Sequence, residues 1–185
     1  MTPTQQRRTA DAVVDAFNRM DTEAVVSYRD PSCLRHFHPI SLGYPPQDNA
    51  AYLDNINSFK AIFQNFRLEI TDVVEDVPHR KICMWLLAKA DTLAGEYNNE
   101  YVWNMEFNKN GEKIVRWKEF VDVGVARDFL PKLRKEMQKE NEKQMGENAS
   151  NWSVCQSFLI FLGYIILSNL YNETWFLNNQ SREKC

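Results

Sequence analysis

The run Lys113-Ile-Val-Arg-Trp-Lys-Glu-Phe-Val-Asp122 decides how this chain is read. Side chains along a strand alternate between faces, so Val115, Trp117, Glu119 and Val121 share one face while Arg116, Lys118 and Asp122 take the other. One acid therefore stands in an apolar row. Burial disfavours the charged form of a carboxyl, which lets such a glutamate give or take a proton near neutral pH. The other reading of Glu119 is a structural carboxylate bonded to a nearby Arg, Tyr or Trp, and the alternation leaves both open. Asp122, on the opposite parity at the strand end, reads as a cap for the helix that follows.

Upstream of this run the hydrophobic period is two from Phe66 onward. Residues 66–74, 81–91, 96–108 and 113–123 read as strands, separated by Asp-Val-Pro-His, Thr-Leu-Ala-Gly and Asn-Lys-Asn-Gly turns. Links this short make antiparallel neighbours. Asn99, Tyr101, Trp103, Met105 and Phe107 share one face of their strand. In residues 81–91 both faces are apolar, Ile82, Met84 and Leu86 against Cys83, Trp85 and Leu87, so this strand should be covered on both sides, by a pocket and by a dimer contact.

The first part of the chain is helical in pattern. Ala10, Val13, Val14, Phe17 and Met20 recur at helical spacing, and Asp21 reads as the N-cap of a short helix reaching Tyr28. Residues 33–40 read as a short strand, and Tyr52, Ile56, Phe59 and Phe63 mark a third helix. A last helical stretch covers residues 125–143, with Pro131 in its first turn or kinking it. Helices packed inside a meander that curls around them give an α+β cone, a strongly curved antiparallel sheet wrapped around N-terminal helices with an internal pocket.

Composition bounds the rest. A chain of 185 residues, 44% hydrophobic with 6 Gly and 7 Pro, is globular and supports one domain with a full core. A net charge of −3 supplies no basic footprint, so nucleic acid is not an expected partner. Cys33, Cys83, Cys155 and Cys185 lack paired spacing for zinc or redox chemistry. Neither a phosphate-cradling glycine loop nor a His/Asp metal cluster is visible, so no cofactor and no metal are expected. The opening residues run into an amphipathic segment rather than an apolar leader, which makes the cytoplasm the expected setting.

Several motifs in order resemble one family. Tyr28-Arg-Asp-Pro-Ser-Cys33, Pro39-Ile-Ser-Leu-Gly43, Pro45-Pro46, Asn65-Phe66, Ala90-Asp-Thr92, Gly95-Glu-Tyr-Asn-Asn-Glu-Tyr101, Gly111-Glu-Lys-Ile114 and Glu119-Phe-Val-Asp-Val-Gly124 span residues 5–137. Together they resemble the SnoaL-like branch of the NTF2-like superfamily, and within it the fungal tailoring proteins that include the terretonin-pathway-type meroterpenoid isomerases. The resemblance implies a homodimer that rearranges, cyclises or hydrolyses an oxygenated polyketide or terpenoid, without metal or organic cofactor. It also resembles limonene-epoxide-hydrolase-like members, whose corresponding acid lines the pocket at the position of Glu119. Those hydrolases use an Arg and an Asp on a neighbouring strand, and the centre of residues 81–87 has neither, which argues for isomerisation or cyclisation.

The fungal relatives often carry a histidine near the position of Trp85. Its absence here makes His36 and His38, which share a face of the first strand, the candidate partners of Glu119 in proton transfer. Arg29 is the candidate for holding a substrate carbonyl or carboxylate, or for capping the helix before it. Asn99 is a candidate donor to an oxyanion. Trp85, Tyr101, Trp103 and Trp117 are expected as pocket and core walls, with Tyr44 and Tyr52 reaching in from loop and helix.

The domain organisation follows as residues 1–138 for the SnoaL-like domain, 139–153 a polar linker, 154–171 a hydrophobic segment and 172–185 a polar tail. The apolar run 154–170 would span roughly 25 Å as a helix, slightly under the ~30 Å of a bilayer core. A membrane anchor, a partner-packing helix and an extension without function remain three readings of it.

Overall fold

The computed structural model describes residues 2–60 and 62–147. It begins with α1 (Gln5–Asn18), whose N-terminus is capped by the Thr4 hydroxyl accepting from the Arg7 N–H. Ala10, Val13, Val14 and Ala16 are its buried stripe. The Asn18 side chain closes the helix onto the sheet, donating to the Leu68 carbonyl and accepting from the Leu68 N–H. Asp21 caps α2 (Thr22–Ser27) through the Ala24 N–H, as its sequence position implies. The strand β1 (Arg29–His38) follows, four residues earlier in its start than the sequence pattern indicates.

After a single 3-10 turn and a loop, α3 (Asn49–Lys60) leads into the meander of β2 (Gln64–Asp76), β3 (Lys81–Thr92), β4 (Gly95–Phe107) and β5 (Ile114–Val121). The sheet order is β1-β5-β4-β3-β2, an open and curved arrangement of five strands. Three hairpins make β2 to β5 antiparallel, as their short links require. The pairing of β1 with β5 is parallel, so the sheet is mixed rather than wholly antiparallel. Hairpin turns fix only the relative direction of consecutive strands. The direction of β1 is set by α3, which carries the chain from one edge of the sheet to the other.

A second departure lies inside β5. Glu106 pairs with Arg116 but Phe107 pairs with Ile114, so Val115 is an extra residue in the ladder. The bulge turns Ile114 into the core and leaves Val115 half-buried, against the simple alternation. Beyond the bulge the parity recovers: Trp117 and Glu119 face inward as expected. The turn before β5 presses on α1, where the Thr9 hydroxyl donates to the Gly111 carbonyl at 2.8 Å. Gly111 has φ +76°, and a Cβ there would lie 2.8 Å from the Gln6 nitrogen, so both conformation and space demand glycine.

The core lies between the helices and the inner face of the sheet. Ile82, Met84 and Leu86 of β3, Met105 of β4 and Trp117 of β5 are fully buried there, each burial stabilising by about 1.5–3 kcal/mol. After β5 the Asp122 side chain accepts from the Gly124 N–H and its carbonyl from the Ala126 N–H, capping the turn that follows. That turn is a π-helical segment, Val125–Phe129, which passes into α4 (Leu130–Glu147). Pro131 therefore sits in the first turn of α4, directly after the π-helical segment.

The chain divides into two compact units, residues 1–137 and 138–185. The first contains the sheet and its helices, with Leu133 and Met137 of α4 packed on the core. In the second, the described part is helical as far as Glu147, so residues 139–147 of the expected linker are helix. Among the described residues no helix is long and apolar enough to cross a membrane. The hydrophobic segment 154–171 and the polar tail 172–185 lie outside the described residues.

Candidate active site

Glu119 is 3% exposed, and its partner is Arg35 of β1, which is 4% exposed. In the parallel register Phe37 stands opposite Glu119, and Arg35 lies two residues before Phe37 on the same inner face. The guanidinium grips the carboxylate with two bonds, Nε to Oε2 at 3.1 Å and Nη2 to Oε1 at 2.5 Å. Its third nitrogen, Nη1, donates to Gln47 Oε1 at 2.7 Å, and Gln47 also forms a two-way backbone bridge with Arg35. The plane of the guanidinium lies against two rings, 4.1 Å from the centre of Phe37 and 4.8 Å from that of Tyr52. Burial works against the Arg35 charge, but the Glu119 carboxylate outweighs it and holds the guanidinium above its ordinary value.

This pair is the polar wall of an internal cavity of about 60 Å³. Tyr52, Tyr101 and Trp103 line the cavity beside Arg35 and Glu119. Asp21 and Thr22 add polar groups at the start of α2, and the remaining lining is apolar. Four phenylalanines of the lining pack together: Phe59 stacks on Phe63 at 5.3 Å, Phe63 meets Phe66 at 6.2 Å, and Phe66 meets Phe17 at 6.5 Å. Ligand sites for molecules of drug size run to roughly 300–1,000 Å³. The cavity is small because rings fill it, and a molecule of that size enters only if these rings move.

Behind the cavity wall runs a chain of hydroxyls and an amide. The Tyr101 hydroxyl is 2.7 Å from that of Tyr97, and Asn99 Nδ2 donates to Tyr97 at 2.6 Å. Burial pushes the Tyr101 phenol well above its ordinary value, reinforced by Tyr97 and the Glu119 charge. Burial also raises Tyr97 and Tyr52. All three remain phenols, donors rather than phenolates, at neutral pH.

The other sequence candidates are placed differently. His36 and His38 flank Phe37, the register partner of Glu119, and therefore point to the outer face of the sheet. His38 stacks on Phe120 at 4.7 Å, and burial, then Lys118 and His36, lower its pKa. The expectation of a histidine sharing the cavity with Glu119 is not met, because parity separates them. Trp85 is also on the outer face, 40% exposed, and is not a wall of the cavity. Trp117 is fully buried beneath Trp103 and Tyr52, a core residue. Arg29 is buried too: its Nη2 donates to the Cys33 and Gln47 carbonyls, its charge lies 4.4 Å from the Tyr52 ring centre, and it holds the β1 loop rather than lining the cavity. Asn99 lies one residue behind the wall, and Tyr44 packs on Phe37.

Sequence reasoning missed Arg35, Gln47 and Tyr97. A signal for Arg35 was present in the alternation of Cys33, Arg35 and Phe37, where an arginine shares the parity of a cysteine that proves fully buried. Gln47 left no such trace, since it acts from a loop.

The fold has counterparts among known proteins. No family model matches the chain. The monooxygenase nsrQ of Aspergillus novofumigatus is 34% identical over 118 residues, 64% of this chain and 78% of that protein. AusH from Aspergillus nidulans, a solved structure, is 31% identical with a TM-score of 0.61, covering 65% of this chain and 87% of its own. The chain belongs to the fungal secondary-metabolite branch of the SnoaL-like, NTF2-like superfamily. A further structure of this SnoaL-like branch, the BvnE pinacolase of Penicillium brevicompactum, aligns at a TM-score of 0.67 and 27% identity, over 71% of this chain and 95% of its own. The fold alone is shared with a SnoaL-like polyketide cyclase from Shewanella denitrificans, 10% identical at a TM-score of 0.57 over 66% of this chain and 94% of its own. These neighbours support a SnoaL-like tailoring enzyme of secondary metabolism.

Proposed function

We propose that this protein is a cofactor-independent isomerase or cyclase that rearranges an oxygenated polyketide or meroterpenoid intermediate, with Glu119 as the proton acceptor. The observation that carries this reading is the Arg35–Glu119 pair on the wall of a mostly apolar cavity. Removing two charges from water is costly, and a purely apolar wall would fold at least as well. A carboxylate with both oxygens receiving Arg35 N–H groups still has free lone pairs for a substrate proton. Of the two roles a buried acid can fill, the pair supports the base. In such a rearrangement Glu119 takes a proton from one position and returns it at another, so product and substrate have equal mass.

The aromatic lining fixes how the substrate folds, and hence which product forms. The second copy expected of this fold would sit on the outer face, where Trp85, Val102 and Phe120 lie side by side across β3, β4 and β5. The domain limits 1–138, 139–153, 154–171 and 172–185 and a cytoplasmic setting belong to the same proposal.

The test incubates the full chain with oxygenated intermediates of austinoid-type meroterpenoid and aromatic polyketide pathways, beside Glu119→Gln. A product of unchanged mass, lost in the variant, is the expected result. A second reading comes from the relative named a monooxygenase: incorporation of oxygen from labelled dioxygen would establish it. Label from heavy-oxygen water would make the protein a hydrolase, and binding without conversion a ligand carrier.

A further inference from the structure

We propose that Asp21 and Thr22 form a substrate subsite at the solvent end of the cavity, one that takes a hydroxyl group of the substrate and rejects a carbonyl in the same place. The substrate class this implies is a terpenoid or polyketide with an alcohol at the end remote from its reacting carbon. The proposal rests on the reading of this cavity as the substrate site, and it concerns a part of the substrate that the proton transfer at Glu119 does not touch.

The lining is ordered by exposure. Asp21 is the one exposed residue among those that line the cavity, Thr22 beside it is 8% exposed, and Val25, one turn further along α2, is fully buried. Arg35 and Glu119 are buried on the sheet side. The cavity therefore meets water at the start of α2. A molecule with its reacting carbon at Glu119 leads its other end toward Asp21 and Thr22.

What that end can hold follows from counting donors and acceptors. The Thr22 hydroxyl donates to Asn57 Oδ1 of α3 at 2.6 Å, within the range of O–H···O bonds. This bond spends the single Thr22 proton and leaves the lone pairs of its oxygen. Asp21 Oδ1 accepts the Ala24 N–H at 3.0 Å, while Oδ2 takes part in no hydrogen bond among the described residues. A carboxylate only accepts. Both side chains therefore offer acceptors and no donor. A carbonyl or ether oxygen arriving here is a further acceptor, and it gives up its bond to water without a replacement. An ammonium brings three donors to two oxygens, whereas a hydroxyl brings one. Capping does not account for the carboxylate, because Asn or Ser at position 21 would cap α2 equally well.

Isothermal titration calorimetry of the full chain with trans-2-decalol, trans-2-decalone and trans-2-aminodecalin tests this. The three probes share one carbon frame and differ in a single polar group. The alcohol should bind roughly 10-fold more tightly than the ketone, the scale of one hydrogen bond to a charged acceptor. Asp21→Asn keeps the cap, and Thr22→Val keeps the outline of the side chain. In the double variant the alcohol and the ketone should bind within a few-fold of each other, because the Asn amide brings a donor and the Thr22 oxygen is gone. Circular dichroism identifies the temperature at which each variant is folded, and titration is made there. Glu119→Gln should leave the preference for the alcohol intact. A preference lost in Glu119→Gln and kept in the double variant would place the hydroxyl at the buried acid and overturn the subsite. The ketone binding as tightly as the alcohol to wild type, or no binding of the alcohol at all, overturns it too. The amine binding most tightly of the three replaces the alcohol class with a cation. Calorimetry reads binding and not turnover, so the expected preference stands even where no intermediate is converted. Conversion without that preference keeps the isomerase and sinks the subsite.

Discussion

Glu119 and Phe120 are adjacent in sequence and opposite in circumstance. The acid is buried beside Arg35 on the inner face of the sheet, and the ring, 47% exposed, lies on the outer face with His38 stacked upon it. On the inner face charge has been placed where it costs stability; on the outer face apolar surface has been left where water meets it. Neither choice serves folding of the single chain. Under the proposed function the contrast separates two roles, chemistry on the inner face and contact on the outer, with one strand supplying both by alternation.

Breaking the inner face should give the largest effect. Glu119→Gln leaves the Arg35 charge buried without its partner, at a cost of about 3–5 kcal/mol. A unit of this size should then melt roughly 10 °C lower, by differential scanning calorimetry. The rate per folded molecule should collapse as well. A lowered melting temperature with a normal rate per folded molecule would reduce the pair to a structural role. Arg35→Met with Glu119→Leu should recover stability without activity, which separates the two effects.

Alkali should strike the same face. Tyr52, Tyr97 and Tyr101 have folded pKa values raised above the unfolded value near 10, so their contribution is complete below that pH. It is lost as pH rises past 10, where the unfolded chain releases protons that the folded chain keeps. Melting curves from pH 8 to 11 should show the fall, and Tyr101→Phe should make it shallower. An unchanged slope in that variant would mean that Tyr101 is already ionised or solvated.

The outer face answers to different probes. Trp85→Ser with Phe120→Lys should convert the full chain from dimer to monomer in light scattering, while each exposed site alters the stability of the single chain by only about 0.5 kcal/mol. Wild type running as a monomer would remove the contact role. The smallest effect concerns His38, whose folded pKa is lowered, chiefly by burial. The unfolded chain takes up the proton first as pH falls through about 6.5, so acid should destabilise slightly. His38→Gln should flatten the melting temperature between pH 7.5 and 5.5.

Much of the scaffold was legible because local rules write it directly. Asp21 caps α2 because its side chain reaches the next turn whatever lies elsewhere, and the short turns before β3, β4 and β5 leave antiparallel pairing as their one outcome. The inward parity of Glu119 was legible for the same reason. Its partner was not: the interaction between Arg35 and Glu119 joins residues 84 apart, and it depends on β1 lying parallel to β5. The histidines were misplaced by the same gap, since two residues on one strand share a face but nothing local says which.

Alternation and turn chemistry by themselves determined the helices, the meander, the acid in an apolar row and the two-sided apolar strand. These are properties of neighbours along the chain, carried by periods of 3.6 and 2. Only the tertiary structure decided that Arg35 rather than a histidine meets Glu119, that a bulge at Val115 exchanges the inward residue, and that Asn99 reaches the cavity through Tyr97 and Tyr101. Those depend on strand order, register and the last ångströms of side-chain packing, which are set by contacts between distant segments that no local period encodes.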